Sequence, residues 1–266
     1  MKTEAVIEML PWDSEHFGCR IARVVPKRLT HSISQEITDQ AEKEGVDCLY
    51  LLADASDRET IRWAERMRFR LVDIRLNLEA ETGAAPPTTR SLAADIPIRL
   101  AVQEDLPGLQ ELSQNAFRDS RFYRDPQFPD ALCDRLYERW IENLLTSPSA
   151  FVFVSGAPGQ PQGYTACRLR DGIGEIDLLS VAPDAKTRGL GRALLEAALR
   201  RFAESGADRI LSVTQGQNLK AQRVAMRAGI FPVDVQVWYH RWRCDSEAEG
   251  MLSPIASSGA RSYVNS

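Results

Sequence analysis

The sequence predicts a mixed α/β protein, an α/β or α+β sheet with helices on both faces. Short apolar or alternating runs, such as Cys48-Leu-Tyr-Leu-Leu-Ala53 and Val72-Asp-Ile-Arg-Leu76, have the form of strands. Between them lie stretches whose apolar residues recur every three or four positions, such as Ile33, Ile37 and Ala41, which have the form of helices. The chain has 266 residues, of which 44% are hydrophobic and 26% charged, enough to bury a real core in one large domain or two modest ones.

Composition also excludes functions. Lys+Arg is 33 against Asp+Glu 37, a net charge of -4, which argues against general binding to a nucleic-acid backbone. No apolar run approaches the ~18 residues of a membrane span, and the start, Met1-Lys-Thr-Glu-Ala-Val, lacks a signal-peptide core. Cys19, Cys48, Cys133, Cys167 and Cys244 are scattered and form no CxxC, which predicts reduced thiols and a cytoplasmic protein. His16, His31 and His240 share no ligand spacing, and no metal is expected.

In order, strands are predicted at about Ala5–Leu10 and Arg20–Val25, a helix over Ser32–Lys43, and a buried strand over Cys48–Ala53. A helix from about Arg58 to Met67 and an alternating strand from Arg70 to Leu78 complete the first half. The Gly-, Pro- and Thr-rich stretch from Glu81 has no apolar period and reads as a linker. Beyond it, a strand over Pro97–Val102 leads to Asp105, placed where a helix N-cap would stand, and to a helix bearing Leu106, Leu109 and Leu112. A second helix carries Leu132, Leu136, Trp140, Ile141 and Leu144. Strands at Ala150–Val154, Gly163–Leu169 and Glu175–Val181 follow, then a helix over Gly191–Ala203 and a strand over Arg209–Val213. A helix over Leu219–Arg227 and a strand over Val233–Arg241 end the ordered part, and the small, polar stretch after Trp242 reads as a mobile tail.

A weak internal repeat links the halves. At a shift of 161, Val72-Asp-Ile-Arg-Leu76 falls on Val233-Asp-Val-Gln-Val237, Asp57 on Asn218, Ala64 on Ala225 and Phe69 on Ile230.

The chemistry is most legible between Glu175 and Leu195. There a strand ends at Pro183, a polar loop follows, and Gly189 and Gly191 open an apolar helix. Glycines at such a turn allow positive φ and close backbone approach, and the first N–H groups of a helix have no internal partner. The turn suits a pyrophosphate, with Lys186 and Arg188 adding charge. It has neither the third glycine of a dinucleotide fingerprint nor a Gly-Lys-Ser/Thr. Glu175 and Asp177 share one face of their strand and are candidate carboxylates for acid–base work. Arg118-Asp-Ser-Arg-Phe-Tyr-Arg124 interleaves three arginines with two aromatics, a pattern suited to an anionic ligand that carries a ring. Trp12, His16, Phe17 and His240 read as structural, and Cys167 as a small core residue.

Arg188-Gly-Leu-Gly191-Arg-Ala193 resembles the Q/R-x-x-G-x-G/A acetyl-CoA loop of the GNAT N-acetyltransferases. Leu179-Ser-Val181, Ile98-Arg-Leu-Ala-Val-Gln-Glu-Asp105 and Asn218-Leu-Lys-Ala221 are similar to further family segments, so the likeness spans Pro97 to about Trp242. Over the whole chain, Leu10-Pro-Trp-Asp-Ser-Glu-His-Phe-Gly18, Ala116-Phe-Arg-Asp-Ser-Arg-Phe122 and Tyr137-Glu-Arg-Trp-Ile-Glu142 resemble two-domain family members that acetylate a nucleotide-linked amino sugar. The resemblance implies a GNAT fold over residues 96–244, preceded by a partial GNAT-like domain (1–82) and a linker (83–95), and followed by a flexible tail (245–266). It implies acetyl-CoA as co-substrate, held by Leu179, Ser180, Val181, Lys186, Thr187, Arg188, Gly189, Leu190, Gly191, Arg192, Ala193 and Asn218. Transfer is expected to be direct, with Glu175 and Asp177 as candidate bases and backbone N–H groups at Leu179 or Val181 stabilising the oxyanion. Ser120, Arg121, Phe122 and Tyr123 are the expected acceptor residues. The expected partners are a small-molecule amine, a nucleotide sugar first among them, and a second copy of the chain as homodimer. Other amines (an amino acid, a polyamine, a protein amine) and a noncatalytic acyl-CoA-binding module stay open. Where the family often places a proton-donating tyrosine seven residues after the motif's asparagine, this chain has Ala225, with water or Tyr239 as the alternatives.

Overall fold

The computed structural model describes residues 5–81, 96–114, 116–185 and 188–243. The first half runs β1 (Ile7–Met9), α1 (Pro11–Phe17), β2 (Ile21–Val24), α2 (His31–Lys43), β3 (Cys48–Asp54), α3 (Arg58–Arg66) and β4 (Arg70–Glu81). The second runs β5 (Arg99–Leu100), a 3-10 turn (Gln103–Asp105), α4 (Leu106–Ser113), α5 (Arg121–Arg124), α6 (Asp130–Thr146), β6 (Ala150–Ser155) and β7 (Gly163–Arg170). It ends with β8 (Ile173–Val181), α7 (Leu190–Glu204), β9 (Arg209–Gln215), α8 (Leu219–Arg227) and β10 (Phe231–Trp242). The expected linker (83–95) and tail (245–266) lie outside the described residues.

All the described strands belong to one sheet, ordered β1-β2-β3-β10-β4-β9-β8-β7-β6-β5. The order shows an exchange. β10, the last strand of the second half, lies between β3 and β4 of the first, and β4 lies between β10 and β9. The repeat seen in the sequence is preserved to the residue, since the bounds of β3, α3 and β4 plus 161 are those of β9, α8 and β10. Asp57 caps α3 by accepting from Glu59 and Thr60 N–H, and Asn218 caps α8 by accepting from Ala221 N–H.

Helices cover both faces. On one, α1, α4, α5 and α6 bury a core shared by the halves, in which Ile21 and Tyr50 of the first meet Leu136, Ile141, Tyr164 and Leu178 of the second. On the other, α2 and α3 cover Ala22, Leu49 and Leu51, while α7 and α8 cover Cys167, Ile176 and Ile210. Alternate residues of β3 therefore serve opposite cores, as a pleated strand requires.

Three local expectations need correction. The strand at Pro97–Val102 shortens to Arg99–Leu100. Residues 11–17 and 121–124 are helical, although neither is long enough to show a period. Asp105 is not the side-chain cap of α4. Its buried carboxylate instead accepts from the N–H groups of Val102 and Gly159, both at 2.9 Å, and from both terminal nitrogens of Arg99 at 2.7 and 2.8 Å. It thus ties the 3-10 turn to the β6–β7 connection. The Arg99 contacts, followed by those backbone donors, hold its pKa at about 2, below the usual 3.8.

A depressed carboxylate pKa contributes stability that is present above 3.8 and lost as pH falls toward about 2. Asp105→Ala leaves Arg99 and two N–H groups without their acceptor, and is expected to cost about 3 kcal/mol, a fall in Tm of roughly 6–12 °C at neutral pH. A calorimetric Tm within 1 °C of wild type would show that Asp105 is not what fixes this turn.

Candidate active site

β8 and β9 run parallel and are paired from Ile173–Arg209 to Ile176–Ser212, after which they part. On its other edge β8 stays paired with β7 as far as Val181–Gly163. Ala182 donates its N–H to the Gln162 carbonyl at 2.9 Å, on the β7 side. Alternation along the antiparallel ladder then points the N–H and C=O groups of Leu179 and Val181 toward the opened β9 side. The fork therefore presents unpaired backbone donors and acceptors from the β8 edge.

A cleft of about 770 Å³ runs under α6 on the shared-core face and reaches this fork, with Glu175, Ile176 and Asp177 of β8 facing Leu211, Ser212 and Val213 of β9. Asp177 is the extra residue of a bulge in β8, between the pairs Ala166–Leu178 and Cys167–Ile176. Both its oxygens accept from Arg168, and the same guanidinium lies 3.2 Å from Glu175. Burial is the largest influence on Asp177 and pushes its pKa up, against Arg168, which pulls it down.

Farther along the cleft, Arg121 is caged by three rings, its guanidinium carbon 4.1 Å from the centres of Tyr50 and Phe122 and 4.4 Å from that of Trp238. It donates to His240 Nε2 at 3.0 Å. A guanidinium only donates, so Nε2 carries no proton and Nδ1–H must donate to Asp125, at 2.6 Å. Burial lowers the His240 pKa to about 4, so the ring is neutral at pH 7 and the relay Asp125–His240–Arg121 is fixed in direction. Asp73, on β4 beside Trp238, also lines the cleft. It is 5% exposed, its Oδ1 has no hydrogen-bond partner, and burial raises its pKa to about 6.

The loop after β8 leads into α7 with a different provision. α2, α3 and α8 each begin with a side-chain cap, from Thr30, Asp57 and Asn218. α7 begins with Gly189, at φ +85°, and, like α1, α4, α5 and α6, has no side-chain cap among the described residues; its first-turn N–H groups are open to a ligand at the end of β8.

Residues 111–230 match the Acetyltransferase (GNAT) family. The chain carries a GNAT acetyltransferase domain. It is an acetyl-CoA-dependent N-acetyltransferase. It is 28% identical over 244 residues to dTDP-fucosamine acetyltransferase of Escherichia coli O6:H1, covering 91% of this chain and 100% of that protein. It is 28% identical to mycothiol acetyltransferase of Clavibacter sepedonicus over 71% of this chain and 58% of the relative. With the spore coat polysaccharide biosynthesis protein SpsD of Bacillus subtilis the identity is 25%, over 52% of this chain and 48% of the relative. Among solved structures, a GCN5-related N-acetyltransferase from Sphaerobacter thermophilus superposes with a TM-score of 0.63 at 16% identity, over 89% of this chain and 76% of that one. One from Kribbella flavida gives 0.60 at 12% identity, over 90% and 87%. Both show the shared fold.

Acetyl-CoA fits the acetyltransferase's fork and the uncapped α7. Gly189 and Arg188 are exposed at the turn, whereas the side chains of Leu190 and Ala193 are buried in the core. Only the backbone of those two can face a ligand. Ser180 is likewise buried, its hydroxyl donating to the Leu112 carbonyl at 2.9 Å, and Arg192 is paired with Glu196 at 2.7 Å. Asn218 uses its side-chain oxygen to cap α8. Lys186 and Thr187 lie outside the described residues.

Of the expected acceptor residues, Ser120, Arg121 and Phe122 line the cleft. Tyr123 does not join them, because its hydroxyl donates to Asp134 on α6 at 2.5 Å. Tyr239 does not serve the site either. Trp238 lines the cleft and His240 is buried on the same face against Tyr50 and Phe128, so the residue between them points to the opposite face, where it packs in the α2/α3 core. Sequence reasoning missed Asp73, Arg75, Arg168 and Trp12, all of which line the cleft. The alternation of Val72, Ile74 and Leu76 against Asp73 and Arg75 was the available signal, but it reads equally well as a solvated strand face.

A Cβ at Gly191 would meet Val224 at 3.5 Å and Val181 at 3.7 Å, ordinary contacts that the fold accepts. At ~100 times its Kd, acetyl-CoA is expected to add ~2.7 kcal/mol, a rise of roughly 5–10 °C in Tm. Gly191→Val should stay folded and lose that rise. A folded variant with the full rise would remove this turn from the acetyl-CoA site.

Proposed function

We propose that the protein moves acetyl from acetyl-CoA directly to the amine of a nucleotide-linked amino sugar. The observation that carries this is the mixed charge of the cleft at the point where it meets the β8/β9 fork. Carboxylates for an ammonium group, Asp73, Glu175 and Asp177, stand beside Arg75 and Arg170, which have no carboxylate within 4 Å among the described residues. Those two and the caged Arg121 suit the hydroxyl oxygens of the acceptor's sugar ring, for which a guanidinium is a donor. The relative named dTDP-fucosamine acetyltransferase supports the same class, as does the one named for spore coat polysaccharide biosynthesis.

In this reading the acetyl group lies along the open edge of β8. The N–H groups of Leu179 and Val181 stabilise the oxyanion that forms as the amine adds to the thioester carbonyl. Glu175 and Asp177, already engaged with Arg168, position the amine. Asp73 accepts its proton, directly or through one water. A carboxylate with pKa near 6 is ionised at pH 7 yet more basic than an exposed one. No acid need meet the leaving group, because a thiol of pKa ~8.5 departs tolerably as its anion, and Ala225 stands where the family often has tyrosine.

A panel of amines tests the acceptor class. Nucleotide-linked amino sugars should have the highest kcat/KM, and a preference for an amino acid, polyamine or peptide amine would replace this reading. The base is tested separately. kcat is expected to rise with pH through about 6 and then stay level, and Asp73→Asn should lower it by ~100-fold or more. Because the Asp73 pKa is raised in the fold, wild-type stability falls between pH 3.8 and about 6 and stays lower above that. Asp73→Asn should therefore melt at a higher temperature than wild type above pH 6, with the gap closing toward pH 4. A variant with normal kcat, or a kcat that declines in alkali, would assign the proton transfers elsewhere.

A further inference from the structure

A second cleft, of about 890 Å³, lies on the same face of the sheet at a second fork. β2 pairs with β3 only from Ile21–Cys48 to Arg23–Tyr50, while β3 runs on to Asp54. This opening is the first half's counterpart of the β8/β9 fork. Trp238 lines both clefts, and the in-register row Asp54, Gln236, Arg75, Gln215 crosses from one to the other over β3, β10, β4 and β9. The three strand spacings between the forks amount to ~14–15 Å.

The second cleft does not repeat the acetyl-CoA cradle. Its loop, Val25-Pro-Lys-Arg-Leu-Thr30, has no glycine, and Thr30 caps α2 by accepting from Ile33 N–H. Leu29 is buried, with its N–H donated to Thr60. The cleft is instead cationic through its side chains. Arg23, Lys27, Arg28 and Arg58 line it against two carboxylates, Asp54 and Asp57, with Arg23 paired to Glu8 at 2.7 Å and Arg28 3.9 Å from Asp57. Both carboxylates are engaged locally, Asp54 by the N–H and hydroxyl of Ser56 and Asp57 by the start of α3. Among the described residues, Lys27 and Arg58 have no carboxylate within 4 Å. In a chain of net charge -4, this is a local excess of positive charge facing the row that leads to the catalytic fork.

We infer that this cleft is the nucleoside-diphosphate subsite of the acceptor, so that the substrate lies across β10 and β4 with its amine at the β8/β9 fork and its pyrophosphate against Lys27, Arg28 and Arg58. The inference rests on the acceptor class proposed above. It assigns the first half of the chain the recognition of the nucleotide, and the half-buried Trp238, which lines both clefts, the seam between sugar and phosphate.

The test uses the full chain and two variants, Lys27→Gln/Arg28→Gln on the β2–α2 loop and Arg58→Gln on α3. kcat and KM are measured with a nucleoside-diphospho amino sugar and with the same amino sugar as a methyl glycoside, alongside competitive inhibition by dTDP and UDP. Wild type should prefer the nucleotide-linked sugar. Each variant should lose most of that preference through a KM raised about 10–100-fold, with nucleotide inhibition weakened in parallel and the acetyl-CoA melting shift retained. If wild type shows the preference but both variants keep KM within two-fold, the subsite is wrong and the acceptor class stands. If wild type does not distinguish the two sugars, the acceptor class fails and the subsite falls with it.

Discussion

The exchange of β4 and β10 is the constraint on which the rest of the molecule depends. Each is a twelve-residue strand bonded on both edges, β10 to β3 and β4, and β4 to β10 and β9. Neither half can therefore complete its sheet alone. A strand removed from this position would leave a ladder of backbone groups without partners, and buried groups of that kind are too costly to persist. The same exchange builds the site. It sets Asp73 and Arg75 of the first half beside Gln215 of the second, and it puts Trp238 and His240 next to Tyr50, where they hold Arg121.

Much of this was legible in the sequence because it rests on local patterns. The 161-residue shift set Asp57 against Asn218, and in the structure the two stand at equivalent positions, each capping its helix. Periodicity found α2, α3, α6, α7 and α8 within a few residues, since each buries one stripe. What was not legible depends on how segments pack and register in three dimensions. Asp105 precedes a helix as a cap would, yet its partners Arg99 and Gly159 lie on the β5 and β6–β7 segments. Tyr239 and Asp73 are each one residue from a neighbour on the other face, and only the register of β10 against β3 and β4 decides which face is which. The seven-residue α1 and four-residue α5 are too short to show a period, and tertiary packing holds them.

The cleft holds its charges in two ways. Arg168 with Glu175 and Asp177, and Arg121 with His240 and Asp125, are networks in which each charged group has a partner, so their geometry is fixed before any substrate arrives. Asp73 differs in being both buried and short of a donor at one carboxylate oxygen. A buried carboxylate oxygen without a donor destabilises the fold, and its persistence fits a group whose partner is the substrate amine. In the function proposed above, Ala225, where the family often has tyrosine, leaves the demand on the nucleophile, where Asp73 lines the cleft.

The strand exchange is tested most directly by native-state hydrogen exchange with and without acetyl-CoA at ~100 times its Kd. If the sheet opens as one unit, the slowest amides of β2, β3, β10, β4 and β9 share one opening free energy. Acetyl-CoA, bound at the β8/β9 fork, then adds ~2.7 kcal/mol of protection to all of them alike. Added protection confined to β8, β9 and α7, with β2 and β3 opening independently at lower free energy, would contradict the account.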